Sequence, residues 1–450
     1  MTTDYEAPRL MALDGPLGLK PPHRGRRADD AGDAAKALDR LERHGSPLMV
    51  FDGDVLKDSY EGFLGAFRQH WPRTRVAYSV KTNYLSAIVG LIHHLGATVE
   101  VVSGFEYAIC RRLGIPGSEI HFNGPWKRSD EIAEAFSQGS PVNLDNLDEL
   151  LRTEAIAEKV PGVHTVGIRV NMEVSYPPWD KFGFNLTSGD ALRMARRIAG
   201  NDRLRLGGLH MHIGTYIPNP DQYRKGAEAL VELALRIRDE VGEAPPVLDM
   251  GGGYASGNRL RGQMLPGTAT SPTPQMYAEC LTGPLLDAQD RHDYEPELVL
   301  EPGRALVDDC GELFSTVVAV KPLLGGGKSA IIDGGVNVLP TAYWYDHECL
   351  PVNVGDRPLE NVKIFGPLCM QIDVVRPQVA LPSPRPGDVY RLTRVGAYNF
   401  SQSMEFIYPR PTYLLLWEGK EYVVREAESM EACTREERIP PFLSAGSEEA

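Results

Sequence analysis

The chain contains no CxxC pair, and its six cysteines stand far apart, at positions 110, 280, 310, 349, 369 and 433. A disulfide framework and a cysteine zinc site are therefore not expected. Long apolar runs are missing too, since none approaches the roughly 20 residues that span a bilayer. The opening MTTDYEAPRL lacks the charged-then-apolar build of a secretory signal, so a cytoplasmic protein without a membrane partner is expected. No run of Lys or Arg is interleaved with aromatics, and the net charge is -14, from 47 basic and 61 acidic residues. This balance argues against a nucleic-acid partner and for a small-molecule substrate. Composition is ordinary for a globular protein, 42% hydrophobic and 24% charged, which excludes wholesale disorder.

What is present is a repeated alternation of short apolar runs with helical patterns. PLMVFDG is followed by VLKDSYEGFLGAFRQH, RVAYSV by NYLSAIVGLIHHLG, ATVEVVS by GFEYAICRRLG, and so on through PVLDMGGG and ELVLEPG. Repeated about eight times, with polar clusters just past the apolar runs, this pattern predicts a parallel (β/α)8 barrel over 46–310. An open doubly wound sheet is the alternative. Residues 1–45 include the Pro- and Arg-rich stretch GLKPPHRGRRADDAGD and are expected to be an irregular extension, with order beginning near Ser46. After 310 the segments are β-rich and separated by Gly and Pro, so 311–450 is expected to be an all-β domain, one that a strand from the N-terminal segment can complete.

Four clusters carry chemistry. In VAYSVKTN (76–83), Lys81 ends an apolar strand, where an amine either reaches water or is used chemically. LDMGGGYA (248–255) sets Gly251, Gly252 and Gly253 after a strand, as a tight turn or an anion cradle of backbone amides. LVLEPGRALV (298–307) places Glu301 and Arg304 at a strand end, where they pair with each other or divide a ring nitrogen and a phosphate between them. GLHMHIGTY (208–216) puts His210 and His212 on one face, as metal ligands or as a plane stacked on a flat ligand, with Thr215 in the turn beyond. An amine, an imidazole plane, an anion cradle, a carboxylate and an arginine at the ends of parallel strands are what pyridoxal 5'-phosphate requires.

With YSVKTN, SGFE, NGPWK, KFGF, HMHIG, LDMGGG, EPGR, DGGVN, GPLCMQID and GAYNFSQS in this order, the chain resembles the fold-type III pyridoxal-phosphate decarboxylases, such as those of diaminopimelate and ornithine. The resemblance implies that Lys81 takes the cofactor's aldehyde and that His212 stacks on its ring. It also implies that the three glycines, Arg304 and Tyr398 hold its phosphate. A head-to-tail homodimer follows from it as well, with Cys369, the implied proton donor, and Asp373 reaching the neighbouring active site. Glu301 beside the ring nitrogen favours decarboxylation over racemisation, because related racemases carry arginine there. A racemase or epimerase, a cofactor-binding regulatory protein and a metal-dependent hydrolase using His210 and His212 are the competing readings.

The chain departs from the diaminopimelate enzymes in two places. Their CESxD reads Cys369, Met370, Gln371, Ile372 and Asp373 here, and their RPxxY corresponds to NVLPTAY, ending at Tyr343 without an arginine. Met370, Gln371, Tyr343 and Asp373 are thus the expected substrate contacts. The expected substrate is an amino acid or derivative other than meso-diaminopimelate, with a neutral, acidic or large far end, including an aminoacyl group on a carrier protein. Arg410 and Glu405 are further candidates for the distal contact. Ornithine, lysine or diaminopimelate decarboxylation in primary metabolism is the alternative.

Overall fold

The computed structural model describes residues 31–174, 179–324 and 326–443. Eight parallel strands close into a barrel: Thr74–Ser79, Thr98–Val101, Ile120–Phe122, Val142–Leu144, His164–Asn171, Leu204–His210, Val247–Asp249 and Glu297–Leu300. Closure is made by the last strand against the first, with Leu298 opposite Thr74. The pairing of Val142 with Val166 joins the two halves. The strands read as nearly continuous apolar runs because helices cover their outer face and side chains fill the interior. Each fully buried Val, Leu or Ile contributes about 1.5–3 kcal/mol through its removal from water. Polar residues break these runs at Glu100, Asp249 and His210, all buried inside the barrel. Such groups are costly unless partnered, so they mark where the core gives way to a site.

The second domain is mostly strand. Its central strand, Gly311–Pro322, is flanked by Leu48–Asp52, Lys328–Ile332 and Val389–Thr393. The hairpin Thr412–Trp417 and Lys420–Arg425 closes one edge. Leu48–Asp52 therefore lies in this sheet, antiparallel to the central strand and parallel to Thr412–Trp417, and not in the barrel as its place within 46–310 suggested. The barrel proper begins at Thr74, after the helix Gly53–Arg68, which Asp52 caps by accepting the amides of Asp54 and Val55.

The expectation of an irregular lead-in is corrected over its last third. Ala31–His44 is a helix, with Arg40, Arg43 and His44 gathered on Glu421 of the hairpin. The rest of that expectation, 1–30, lies outside the described residues. A short helix, Met430–Thr434, likewise interrupts the all-β character of the C-terminal part. Among the described residues no helix is long and apolar enough to cross a membrane.

The two domains meet at the turn that carries Lys81. The Tyr398 amide donates to the Thr82 carbonyl at 2.8 Å, and the Asn83 side chain donates to the Gly396 carbonyl at 2.9 Å. The loop GAYNF is thereby held over the open end of the barrel.

Candidate active site

At the C-terminal ends of the barrel strands lies a cavity of about 730 Å³, the usual location of chemistry on this fold. Its wall includes Lys81, His212, Thr215, Glu301, Arg304 and Tyr398, residues far apart in sequence that the strand ends bring together.

Lys81 stands in a single helical turn, Val80–Thr82, directly after the first barrel strand. Its amine lies 3.4 Å from Glu100, which also accepts the Ser79 hydroxyl at 2.7 Å. Burial alone would lower the amine's pKa, but Glu100, then Tyr398 and Glu301, outweigh it and hold the pKa above the ordinary lysine value.

Glu301 is buried on the floor. It accepts the Asn123 side-chain amide at 2.5 Å and lies 3.4 Å from His210 Nε2. Burial disfavours its charge, yet His210 and then Lys81 more than compensate and keep it ionised. Asp249 is pushed the other way, far above the ordinary carboxyl range, by burial and by Glu301 itself. Two carboxyl groups so close cannot both ionise, and here Glu301 keeps the charge while Asp249 carries the proton. The structure thus sets His210 against two carboxyl groups, Glu301 and Asp249, rather than beside His212 as a pair, and supplies the acidic neighbours that sequence spacing did not reveal.

His212 is neutral. Burial, then the charges of Lys81 and Arg169, lower its pKa well below the usual imidazole value. The Gly252 amide donates to its Nδ1 at 3.0 Å, which leaves the proton on Nε2 and fixes the ring plane. Trp179 leans against the ring at a tilt of 52°, with centroids 5.3 Å apart.

The glycine turn is more specialised than expected. Gly251 stands off the cavity wall, and its amide donates to Asp249 while its carbonyl accepts from Glu301, so it is not part of an anion cradle. Gly252 has spent its amide on His212. Gly253 remains at the wall with φ +102, a conformation suited to glycine. A Cβ on Gly252 would strike the Glu301 carbonyl and come within 3.3 Å of His212, so bare backbone is required there.

Four expected substrate contacts lie elsewhere in this chain. Asp373 is buried, and its two oxygens accept the amides of Val336 at 2.9 Å and Leu368 at 2.8 Å. It braces two loops of the β domain, which corrects its reading as a cation receiver. Met370 packs against the core, Gln371 is exposed, and Tyr343 lies beside the cavity but not on its wall, where Thr341, Trp344 and Tyr345 are found instead. Cys369 is exposed and also off this chain's cavity wall. Arg410 is paired with Glu405 and Glu428, and neither Arg410 nor Glu405 lines this chain's cavity.

Sequence reasoning missed Glu100, Asn123, Asp249 and Arg169. The available signal was a charged or amide residue interrupting an apolar barrel strand or standing at its end.

Pyridoxal phosphate fits these residues. Its aldehyde needs the amine of Lys81, its ring nitrogen an ionised acid such as Glu301, its face the neutral plane of His212, and its phosphate the cation of Arg304. Thr82 Oγ1 is buried at the cavity wall without a hydrogen-bond partner, as expected of a site that receives a polar ligand.

Comparison with known proteins agrees. The family described as "Pyridoxal-dependent decarboxylase, pyridoxal binding domain" matches residues 60–308. Diaminopimelate decarboxylase of Bacillus subtilis is 28% identical over 410 residues, which cover 88% of this chain and 92% of the relative. The crystal structure of diaminopimelate decarboxylase from M. jannaschii superposes with a TM-score of 0.84 at 26% identity, covering 91% of this chain and 95% of that one. The same enzyme in complex with L-lysine gives 0.83 at 27% identity, with the same coverage. A lysine/ornithine decarboxylase from Vibrio vulnificus, at 21% identity and TM-score 0.71 over 86% of this chain and 99% of that one, shares the fold. The chain belongs to the pyridoxal-dependent decarboxylases, carboxy-lyases of fold-type III that work on amino acids with pyridoxal 5'-phosphate as cofactor.

Proposed function

We propose that this chain removes the α-carboxylate of an amino acid with a second amino group, with meso-diaminopimelate the first candidate. The observation that carries the reading is the ionised Glu301 on the floor of the cavity that also holds Lys81. Bound pyridoxal phosphate supplies a sink for the electron pair left behind by CO2, and an acid at its ring nitrogen deepens that sink. Lys81 binds the cofactor and yields it to the substrate amine. His212 holds the ring flat, and Arg304, Tyr398 and Thr215 hold the phosphate. The names of the relatives favour diaminopimelate, and the expectation against it is revised accordingly.

One observation supports a second reading. Leu339 stands in NVLPTAY where those enzymes carry arginine, and it is fully buried, so it offers a distal carboxylate no charge. A neutral or larger far end, including a carrier-bound aminoacyl group, suits that wall. Release of CO2 measured over diaminopimelate, lysine, ornithine, arginine and glutamyl derivatives decides. Turnover of diaminopimelate above the others supports the first reading, and its absence with turnover of a derivative supports the second. Racemisation without CO2 release would overturn both.

On the family resemblance, a second copy brings the exposed Cys369 to the neighbouring cavity as proton donor. A dimer by sedimentation, and loss of product protonation in Cys369→Ala, would be its signature. The proposed location is the cytoplasm.

A further inference from the structure

Arg304 is buried at the cavity wall, and what holds it there is unusual. Four residues downstream, on the same short helical turn, Asp308 is also buried and accepts from Arg304 Nη1 at 3.3 Å. The same oxygen accepts the Ser256 hydroxyl at 2.5 Å and the Asn258 amide at 2.8 Å, both from the loop that follows the glycine turn. The other oxygen accepts the Ala397 amide at 3.3 Å, next to Tyr398. The Asp308 carbonyl takes the Gly396 amide at 3.2 Å. Tyr345 and Tyr398 flank the guanidinium, with their ring centres 4.5 and 5.1 Å from its carbon.

A carboxylate beside a phosphate-binding arginine competes with the phosphate for that cation, so a site gains from it only through geometry. Here the geometry is specific. Asp308 engages one Nη of a guanidinium that has five donors, and among the described residues no other side chain bonds it, so the remaining donors can meet a phosphate. Its other bonds tie together the three segments that meet around Arg304. We propose that Asp308 is a positioning residue for the phosphate of pyridoxal phosphate, setting the direction of Arg304 and the closure of loops 254–258 and 394–398 upon it. This rests on the reading of Arg304 as the phosphate cation.

Pyridoxal, which lacks the phosphate, provides the test. The full chain is stripped of cofactor and titrated with pyridoxal phosphate or with pyridoxal, and binding is followed by quenching of tryptophan fluorescence, since Trp179 and Trp344 line the cavity. In Asp308→Asn the new amide protons face donors from Arg304, Ser256 and Asn258. The preference for pyridoxal phosphate over pyridoxal should fall by about tenfold or more, the scale of one charge-assisted hydrogen bond, while pyridoxal binds as before. Ser256→Ala, which removes a single partner of Asp308, should move the preference the same way by less, and decides the matter should Asp308→Asn fail to fold. Equal loss of both ligands would mean that Asp308 only supports the fold. Tighter binding of pyridoxal phosphate would mean that competition wins, and either result overturns the proposal. Arg304→Gln separates the underlying reading: unchanged preference in that variant would show that the phosphate sits elsewhere.

Discussion

The amine of Lys81 and the carboxylate of Glu100 stand 3.4 Å apart, from adjacent barrel strands. Glu100 is the foremost of the groups that raise the amine's pKa, so it keeps Lys81 charged when the cofactor is away. Only the neutral amine captures an aldehyde. Glu100→Gln should therefore move the pH dependence of cofactor uptake to lower pH, with faster uptake by the stripped enzyme near neutrality. Stopped-flow absorbance against pH measures this, and an unmoved profile would remove Glu100 from the role. Lys81→Ala should lose both the visible absorbance of the bound cofactor and CO2 release.

Glu301 and Asp249 share one proton between two buried carboxyl groups, and the asymmetry makes a contrast testable. Glu301→Gln deletes a working charge and should lower the rate of CO2 release by about 10²–10³, the scale found when a single electrostatic contact to a developing charge is lost. Asp249→Asn replaces a group that is already neutral. Its oxygen can still accept the Gly251 amide and its NH2 can donate to Glu301, so the loss should stay within about tenfold. Single-turnover CO2 release with saturating cofactor compares the two. Equal losses would mean that Asp249 is ionised too.

Much of this site was legible because its motifs sit at strand ends, where a break in an apolar run is visible locally. Lys81, His212, Glu301 and Arg304 were found this way and Tyr398 through the family resemblance, and the structure gathers all five at one cavity. Asp308 was not, because its partners Ser256 and Ala397 lie 52 and 89 residues away and no local pattern links them. Leu48–Asp52 misled for a related reason. An apolar strand followed by a helix looks like a barrel unit, and only pairing with Thr412–Trp417 at the far end of the chain reveals its sheet. In the N-terminal segment, the Pro- and Arg-rich composition up to residue 33 masked the helical pattern AAKALDRLERH that follows it. Asp373 looked functional from its motif, but the amides of Leu368, 5 residues before it, and of Val336, 37 residues before it, already occupy it.

Lys127 and Glu149 form a salt bridge of 3.0 Å with almost no exposure of either side chain. Lys127 also donates to the Gly124 carbonyl at 2.8 Å, and Glu149 accepts the Asp145 amide at 3.0 Å. Removing Lys127 leaves Glu149 buried with only the more distant Arg152, at 3.9 Å, as counter-charge. Lys127→Met should therefore destabilise the protein by about 3–5 kcal/mol, whereas Lys127→Met with Glu149→Leu should recover most of it. Denaturant unfolding of the three proteins checks this, and additive losses in the double variant would contradict it.

Glu421 fastens the helix Ala31–His44 to the β domain, accepting Arg40 Nε at 2.8 Å and Arg43 Nη1 at 2.7 Å, with His44 Nε2 at 3.1 Å. Partial burial works against the charge, but the bonds from Arg43, Arg40 and His44 prevail and bring the pKa down to about 2, from an ordinary 4.5. A carboxylate depressed in the folded state stabilises it fully above the ordinary value and loses that contribution as pH falls toward the folded one. The helix should therefore hold at neutral pH and loosen between pH 4.5 and about 2. Hydrogen exchange over residues 31–44 should rise across that window, ahead of the barrel strands. Glu421→Gln should show the loosened state already at pH 7, and added salt should weaken the wild-type contact because the cluster is partly open to solvent. Protection of the helix that ignores pH, salt and the substitution would mean that apolar packing of Ala37 and Leu41 on the sheet holds it instead.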